Sequence, residues 1–336
     1  WGQRVRPEAD LCVYWFEKAR SQIERKKSSR AGLLATQGIR GGANRDTLKR
    51  IKETGEIFFA ESDRDWVLDG ASVHVSMVGF DGGSEKKRIL DGIRVSTINA
   101  NLSATADITQ AMRLRENLNV AFIGDTKGGA FDIDFFRAST MLSSPNPNGQ
   151  SNSDVVVPWI NGLDLTRRYR DMWIVDFGID MSFEHAAQFD DPFSHIQTHV
   201  LPLRATNKRE AYKQKWWIHV EARSGMRAAL QGLPRFLVTT TVSKHRVFGW
   251  FEVPTLPDHQ LIVFSRSDDY FLGILHSRIH EIWALTLGTR LETRPRYTPT
   301  TCFETFPFPA IDNGRHKMVS DAAKEMDRLR TNWQNP

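Results

Sequence analysis

Cysteine is scarce in this chain: Cys12 and Cys302 are the only two among 336 residues, and they lie far apart. That suits a reducing, intracellular setting rather than a disulfide scaffold. No apolar run approaches the ~18 residues of a membrane span. The N-terminus also lacks the basic-then-apolar layout of a signal peptide, so a cytoplasmic chain without a membrane partner is expected. The chain begins at Trp1 rather than Met, and the expectation is a piece of something longer. No Gly-x-Gly-x-x-Gly occurs, and "GDTKGGAF" misses the phosphate-loop spacing. There is no Gly-x-Ser-x-Gly elbow, and neither cysteine has a nucleophile's context. His276 and His280 have the spacing for two imidazoles on one helix face. They lack the intervening Glu of zinc peptidases and a third ligand, so no metal is expected. The sequence offers no self-contained active site.

What is present is charge in blocks. The net charge is only +5. From Asp171 to Leu203 there are six acidic residues and no Lys or Arg. From Arg204 to Arg246 there are ten Lys/Arg against Glu210 and Glu221, a difference of +8. Such a block reads either as a basic surface for a polyanion, nucleic acid first, or as a solvated face whose charge happens to cluster.

Residues 1–95 read as α/β. Leu11, Trp15, Ala19 and Ile23 repeat at i+4 as one stripe of a helix. "AGLLATQGI" has the continuous apolar character of a buried parallel strand ending in a Gly-rich turn. Asn44 suits the N-cap of a helix that stops near Gly55. "EIFFAES" and "ASVHVSMVGF" read as strands joined by the loop "DRDWVLDG", with a turn at Asp69-Gly70. Strand, helix, strand, loop, strand is consistent with the second half of a doubly wound sheet. From Ser96 the texture changes. "TADITQAMRLRENL" and "FLGILHSRIHEIWALTLG" read as helices, "SSPNPNGQSNSD" as an exposed loop, and residues 311–336 as a terminal amphipathic helix.

Four blocks, "ADLCVYWFEKAR", "AGLLATQGIRGGANRDTLKRI", "IFFAESDRDWVLDGASVHVSMVGF" and "RYTPTTCFETFPFP", occur in an order that resembles the large adenine-specific DNA methyltransferases. More narrowly, the chain resembles the MmeI-like single-chain restriction-and-modification enzymes. The resemblance implies an α/β fold: residues 1–95 as the C-terminal half of a class I Rossmann-like methyltransferase sheet, residues 96–310 as a mixed α+β target recognition domain, and residues 311–336 as a helical tail. It implies S-adenosylmethionine as cofactor and double-stranded DNA as partner, with methylation of the N6 amine of an adenine flipped from the duplex. The family's cofactor loop and Asn-Pro-Pro-Tyr/Phe motif have no counterpart in this sequence. This chain alone is therefore expected to be inactive and to work with a missing N-terminal half. The alternative is a non-catalytic specificity module serving a separate catalytic chain.

Site residues follow from both sources. The resemblance implies that Trp66, in the loop between two strands, stacks on the flipped base; alternatively it covers a hairpin end. Gly38, Gly41 and Gly42 allow close backbone approach. Arg40 and Arg45 then either meet phosphate or are solvated at a helix entry. In "RLETRPRY" the charged residues Arg290, Glu292, Arg294 and Arg296 alternate and would share one face of a strand. Glu292 accepting from a cytosine amine and Arg294 donating to guanine would read one C·G pair, with Arg296 on a neighbouring guanine or phosphate. The bland alternative is an exposed strand with an internal Glu–Arg pair. Lys244, His245 and Arg246, with Lys208, Arg209, Lys213 and Lys215, read as backbone contacts. Trp216 and Trp217 are expected in the core rather than as stacking platforms.

Overall fold

The first helix, Leu11–Glu24, follows half of the stripe read from the sequence: Ala19 and Ile23 pack against the core. Leu11 and Trp15 are exposed, whereas Val13, Phe16, Glu17 and Arg20 are buried. Glu17 and Arg20 enter the core because they satisfy each other: Arg20 Nε and Nη2 donate to the Glu17 carboxylate at 2.8 and 2.9 Å, and Arg50 reaches it at 3.3 Å. A paired, hydrogen-bonded charge can be buried where a lone one cannot. Burial by itself would raise the Glu17 pKa, but the two guanidiniums carry it below the ordinary carboxylate value.

The computed structural model describes residues 1–68, 71–104, 108, 111–291 and 294–334. They form two units, Trp1–Met112 with Leu285–Thr293, and Arg113–Ala284 with Arg294–Pro336. In the first, a five-stranded sheet has the order β1-β3-β2-β4-β5, with β1 Arg30–Thr36, β2 Glu56–Leu68, β3 Ala71–Asp81, β4 Arg88–Leu90 and β5 Ile93–Val95. The α/β class holds, but as a mixed sheet whose one parallel pairing among the described residues is β2 with β4. Contrary to the expectation of a buried parallel strand, β1 is an edge strand antiparallel to β3, and Ala35 is its one fully buried residue. The loop expected after Ser62 is also absent. β2 continues through it, absorbing its extra residues in irregularities at Ile57/Phe59 and Glu61/Arg64, and Trp66 pairs with Val73. A two-stranded ribbon in solvent tolerates polar residues on both faces, so polarity alone misreads it as loop. The Asp69-Gly70 turn lies outside the described residues.

The second unit holds two four-stranded sheets. One has the order β11-β10-β13-β6, the other β12-β8-β9-β7. Here β6 is Ala121–Ile123, β7 Asp132–Ile133, β8 Val156–Ile160, β9 Met172–Val175, β10 Arg235–Thr240, β11 Phe248–Glu252, β12 Leu256–Pro257 and β13 Leu261–Phe264. β10 is buried on both faces: Phe236 and Val238 pack with Ile160 and Val175, and Leu237 packs on the other side with Phe264 and Phe303. The long apolar segment after Asp268 breaks into two helices, Asp269–Leu275 and Arg278–Leu287, because the Ser277 hydroxyl accepts from the His280 N–H and starts a second one. The tail helix Asn313–Gln334 crosses Asp269–Leu275 at Gly273, where a Cβ would meet Val319 at 2.6 Å. Arg330 then ties the tail to the carbonyls of Phe248 and Leu165.

Two further expectations change. Of "TADITQAMRLRENL", the described residues show no α-helix but 3-10 conformation at Ile108 and over Arg115–Asn117; residues 105–107, 109 and 110 lie outside the described set. The Asn117 amide reaches the carbonyls of Phe303 and Phe306, remote partners that tie the segment to the end of the recognition segment instead. The segment "SSPNPNGQSNSD" is anchored rather than wholly exposed. Asn146 and Asn152 are buried and joined at 2.7 Å, and Asn152 donates to Met141 O. No helix of the described residues is long and apolar enough to cross a membrane.

Candidate nucleic-acid interface

Two stretches about fifty residues apart meet in the second unit. The short strand Arg294–Arg296 bridges Val242 through Arg296. Ser243 N donates to Pro295 O at 3.2 Å, and Tyr297 N donates to Thr241 O at 2.7 Å. Arg294 and Arg296 are exposed while Pro295 between them is half-buried, the period-two alternation read from the sequence. Lys244 and His245, at the tip of the adjoining segment, are exposed as well. The fold thus gathers Lys244, His245, Arg294 and Arg296 into one basic patch. Glu292 lies outside the described residues, as does the side chain of Arg290.

Arg246 does not join them. Its guanidinium turns inward to Thr239 Oγ1 at 3.2 Å, to the Thr240 carbonyl and to Pro295 O at 3.3 Å. It also lies over the Tyr297 ring at 5.1 Å. Burial pushes its pKa down. The side chain placed with the surface contacts is instead the brace that holds the basic strand to β10. A run of positive letters carries no information on which of them point inward.

The same sorting applies to the rest of the basic block. Arg227 is paired with Asp176 at 2.6 Å and Asp125 at 2.8 Å. Arg235 reaches Asp269 at 2.9 Å, Arg223 pairs with Glu221, and Arg204 is buried. Lys208, Arg209, Lys215 and Lys244 remain at the surface. Trp216 is 8% exposed, and Trp217 donates its indole N–H to Met181 O at 2.8 Å, so both belong to the core.

Tyr297 anchors the strand. Its ring is buried and its hydroxyl lies 3.1 Å from His280 Nε2. His280 Nδ1 lies 2.9 Å from Leu275 O and donates to it, leaving Nε2 to accept. Burial lowers the His280 pKa to about 4. His276 is likewise engaged, with the Phe248 backbone at 3.1 Å. Among the described residues no group of three His, Cys, Asp or Glu is placed to hold a metal.

In the first unit a cleft of about 860 Å³ opens where β1 runs into the turn Gln37–Arg40. Gly38, Gly41, Gly42, Asn44, Val73 and His74 are among its walls. Gly42 has φ +54°, a left-handed conformation that favours glycine. Asn44 caps no helix N–H; it closes a reciprocal pair with Asp10, at 2.8 and 2.7 Å. Arg40, expected toward phosphate, is paired with Asp63 at 2.8 Å, and His74 approaches the other Asp63 oxygen at 2.8 Å. Arg45 is half-buried at the start of the helix Arg45–Thr54. Trp66 is 37% exposed and is not among the cleft's lining residues, although its strand partner Val73 is.

Residues 195–310, which include the whole basic patch, match the family "MmeI, target recognition domain". That segment is similar to MmeI-type target recognition domains. The chain's fold is similar to the solved structure of the type IIL restriction-modification enzyme MmeI in complex with DNA. The TM-score is 0.76 and the identity 18%, over 97% of this chain and 45% of that one. It is also similar to DNA methyltransferase A of Bacillus subtilis (strain 168), 31% identical over 97 residues, 28% of this chain and 11% of that protein. The chain therefore spans less than half the length of either relative.

Proposed function

We propose that this chain binds duplex DNA and selects its sequence as part of a site-specific adenine-N6 DNA methyltransferase of a cytoplasmic restriction-modification system, one that defends against phage. What supports the reading is the joining of Lys244 and His245 to Arg294 and Arg296 by the Val242–Arg296 bridge, inside the matched recognition segment. In this reading residues 1–95 are the trailing part of a class I methyltransferase sheet, residues 96–310 the recognition domain and residues 311–336 its helical tail. Lys244, His245, Lys208 and Arg209 hold the backbone, which fixes register without reading sequence. Glu292, Arg294 and Arg296 enter the major groove, where a carboxylate accepts from cytosine and a guanidinium fork donates to guanine.

The target adenine is flipped out of the stack, and Trp66 offers it an indole face worth ~1–3 kcal/mol. The Gly38–Gly42 turn, with Arg45 beside it, approaches the strand's backbone. S-adenosylmethionine, when bound, would supply the methyl group for the adenine amine. No residue of this chain is assigned to holding that cofactor.

Competition binding at moderate salt tests the reading. Labelled duplex DNA is expected to resist displacement by duplex RNA or heparin at equal charge, and a chain that prefers either polyanion would refute it.

A further inference from the structure

A cationic cavity of about 310 Å³ lies in the second unit, with Ile179, Arg204, Tyr212, Lys215, Arg223 and Ser224 among its walls. No Asp or Glu lines it among the described residues. Arg204 is 2% exposed. Its Nε donates to Gly128 O at 3.0 Å, and its Nη2 donates to Lys127 O at 2.9 Å and Ile218 O at 3.1 Å. Nη1 is buried without a hydrogen-bond partner among the described residues. The guanidinium thus sits on carbonyl dipoles and against the rings of Phe131 and Tyr212, at 5.7 and 5.6 Å. A cation buried in this way is costly unless an anion compensates it.

The surroundings supply donors. Arg209 stacks over the far side of the arrangement, 5.3 Å from the Tyr212 ring, and donates to the Tyr212 hydroxyl at 2.8 Å. That hydroxyl therefore keeps its own proton to give. Lys215 is exposed at the rim, and Arg223 is steadied by Gly124 O at 3.1 Å and by Glu221. A wall of guanidinium, ammonium and hydroxyl donors with no carboxylate selects an oxyanion by charge and by hydrogen-bond sense.

We propose that the cavity bounded by Arg204, Tyr212, Lys215 and Arg223 binds a phosphate-class oxyanion, either free phosphate or a phosphate of a nucleic-acid backbone. The site does not require that the chain recognise DNA.

The test uses the full chain and two rim variants, Tyr212→Phe and Lys215→Ala. Arg204→Gln also removes three internal hydrogen bonds and is informative only beside its own melting temperature. Inorganic phosphate is titrated at constant ionic strength against chloride, by calorimetry and by thermal shift. A parallel arm measures duplex affinity against salt. Phosphate binding weakened about tenfold in each rim variant supports the site and identifies the free anion as an occupant. Silence toward free phosphate, with duplex affinity falling about tenfold in both variants and the salt slope shallower by about one in Lys215→Ala, supports the site with a backbone phosphate in it. Variants indistinguishable from the parent chain in both arms overturn it. Because the first arm contains no DNA, failure of the site and failure of the DNA-binding reading are separable.

Discussion

The Tyr297 hydroxyl lies 3.1 Å from His280 Nε2, and both rings are buried. Tyr297 directly follows the exposed Arg294 and Arg296, so this bond fastens the basic strand to the core beneath it.

The His280 pKa of about 4, against an ordinary 6.5, makes stability depend on pH. The unfolded state takes up a proton near pH 6.5 that the folded state refuses until about pH 4. Stability is therefore expected to fall as pH drops through that window, by up to about 3 kcal/mol, and to change no further from this group below it. Urea midpoints at pH 7 and pH 4.5 check this, and His280→Gln should flatten the difference.

Tyr297→Phe removes the hydroxyl that donates to buried His280 Nε2, at a cost of about 1–2 kcal/mol at neutral pH. Differential scanning calorimetry measures it. A melting temperature equal to the parent's would show that the bond contributes nothing.

Asp125 is buried and Asp176 half-buried beside His219 and Arg227, with Asp125 Oδ1 at 2.8 Å from His219 Nδ1. Burial acts to raise the Asp176 pKa, but the charges of His219 and Arg227 carry it below the ordinary value. Its contribution is present at neutral pH and lost as pH falls through the lowered value. Arg227→Leu strands two carboxylates and is expected to cost about 3–5 kcal/mol, read from the denaturation midpoint.

Lys244 and Arg294 stand in one patch and should fail differently. Lys244→Ala is expected to weaken every duplex by a similar factor and make the salt slope shallower by about one. Arg294→Ala is expected to relax one base position, worth ~1–3 kcal/mol. Selection from a randomised duplex pool separates the two, and matching profiles would remove the distinction.

Arg246 has a third signature. Arg246→Ala loosens the contact between β10 and Pro295, so melting temperature and duplex affinity should fall together, and Arg246→Lys should restore neither because a single ammonium cannot span three acceptors. Restored stability with Lys would make Arg246 a simple surface charge.

Much of the layout was legible in the letters. Turn chemistry and apolar runs placed β1, the helix Arg45–Thr54, and the strands β2 and β3. Alternation at Arg294 and Arg296 announced two exposed side chains flanking a half-buried proline. These features are local: a strand's period and a glycine's tolerance of positive φ need no distant partner. The same reasoning failed where the deciding partner was remote. The side chains of Glu17 and Arg20 are buried because each completes the other, and Arg50, thirty-three residues beyond Glu17, also donates to that carboxylate. The polar end of β2 stays extended because β3 pairs with it.

Charge shows the division most clearly. The chain's own order set the number of cations between Arg204 and Arg246, and hence the basic character of that stretch. Tertiary structure alone decided that Arg204, Arg227, Arg235 and Arg246 turn inward while Lys244 and His245 turn out beside Arg294 and Arg296. A guanidinium is buried when carbonyls or carboxylates from elsewhere surround it, and those acceptors come from segments far away in the sequence.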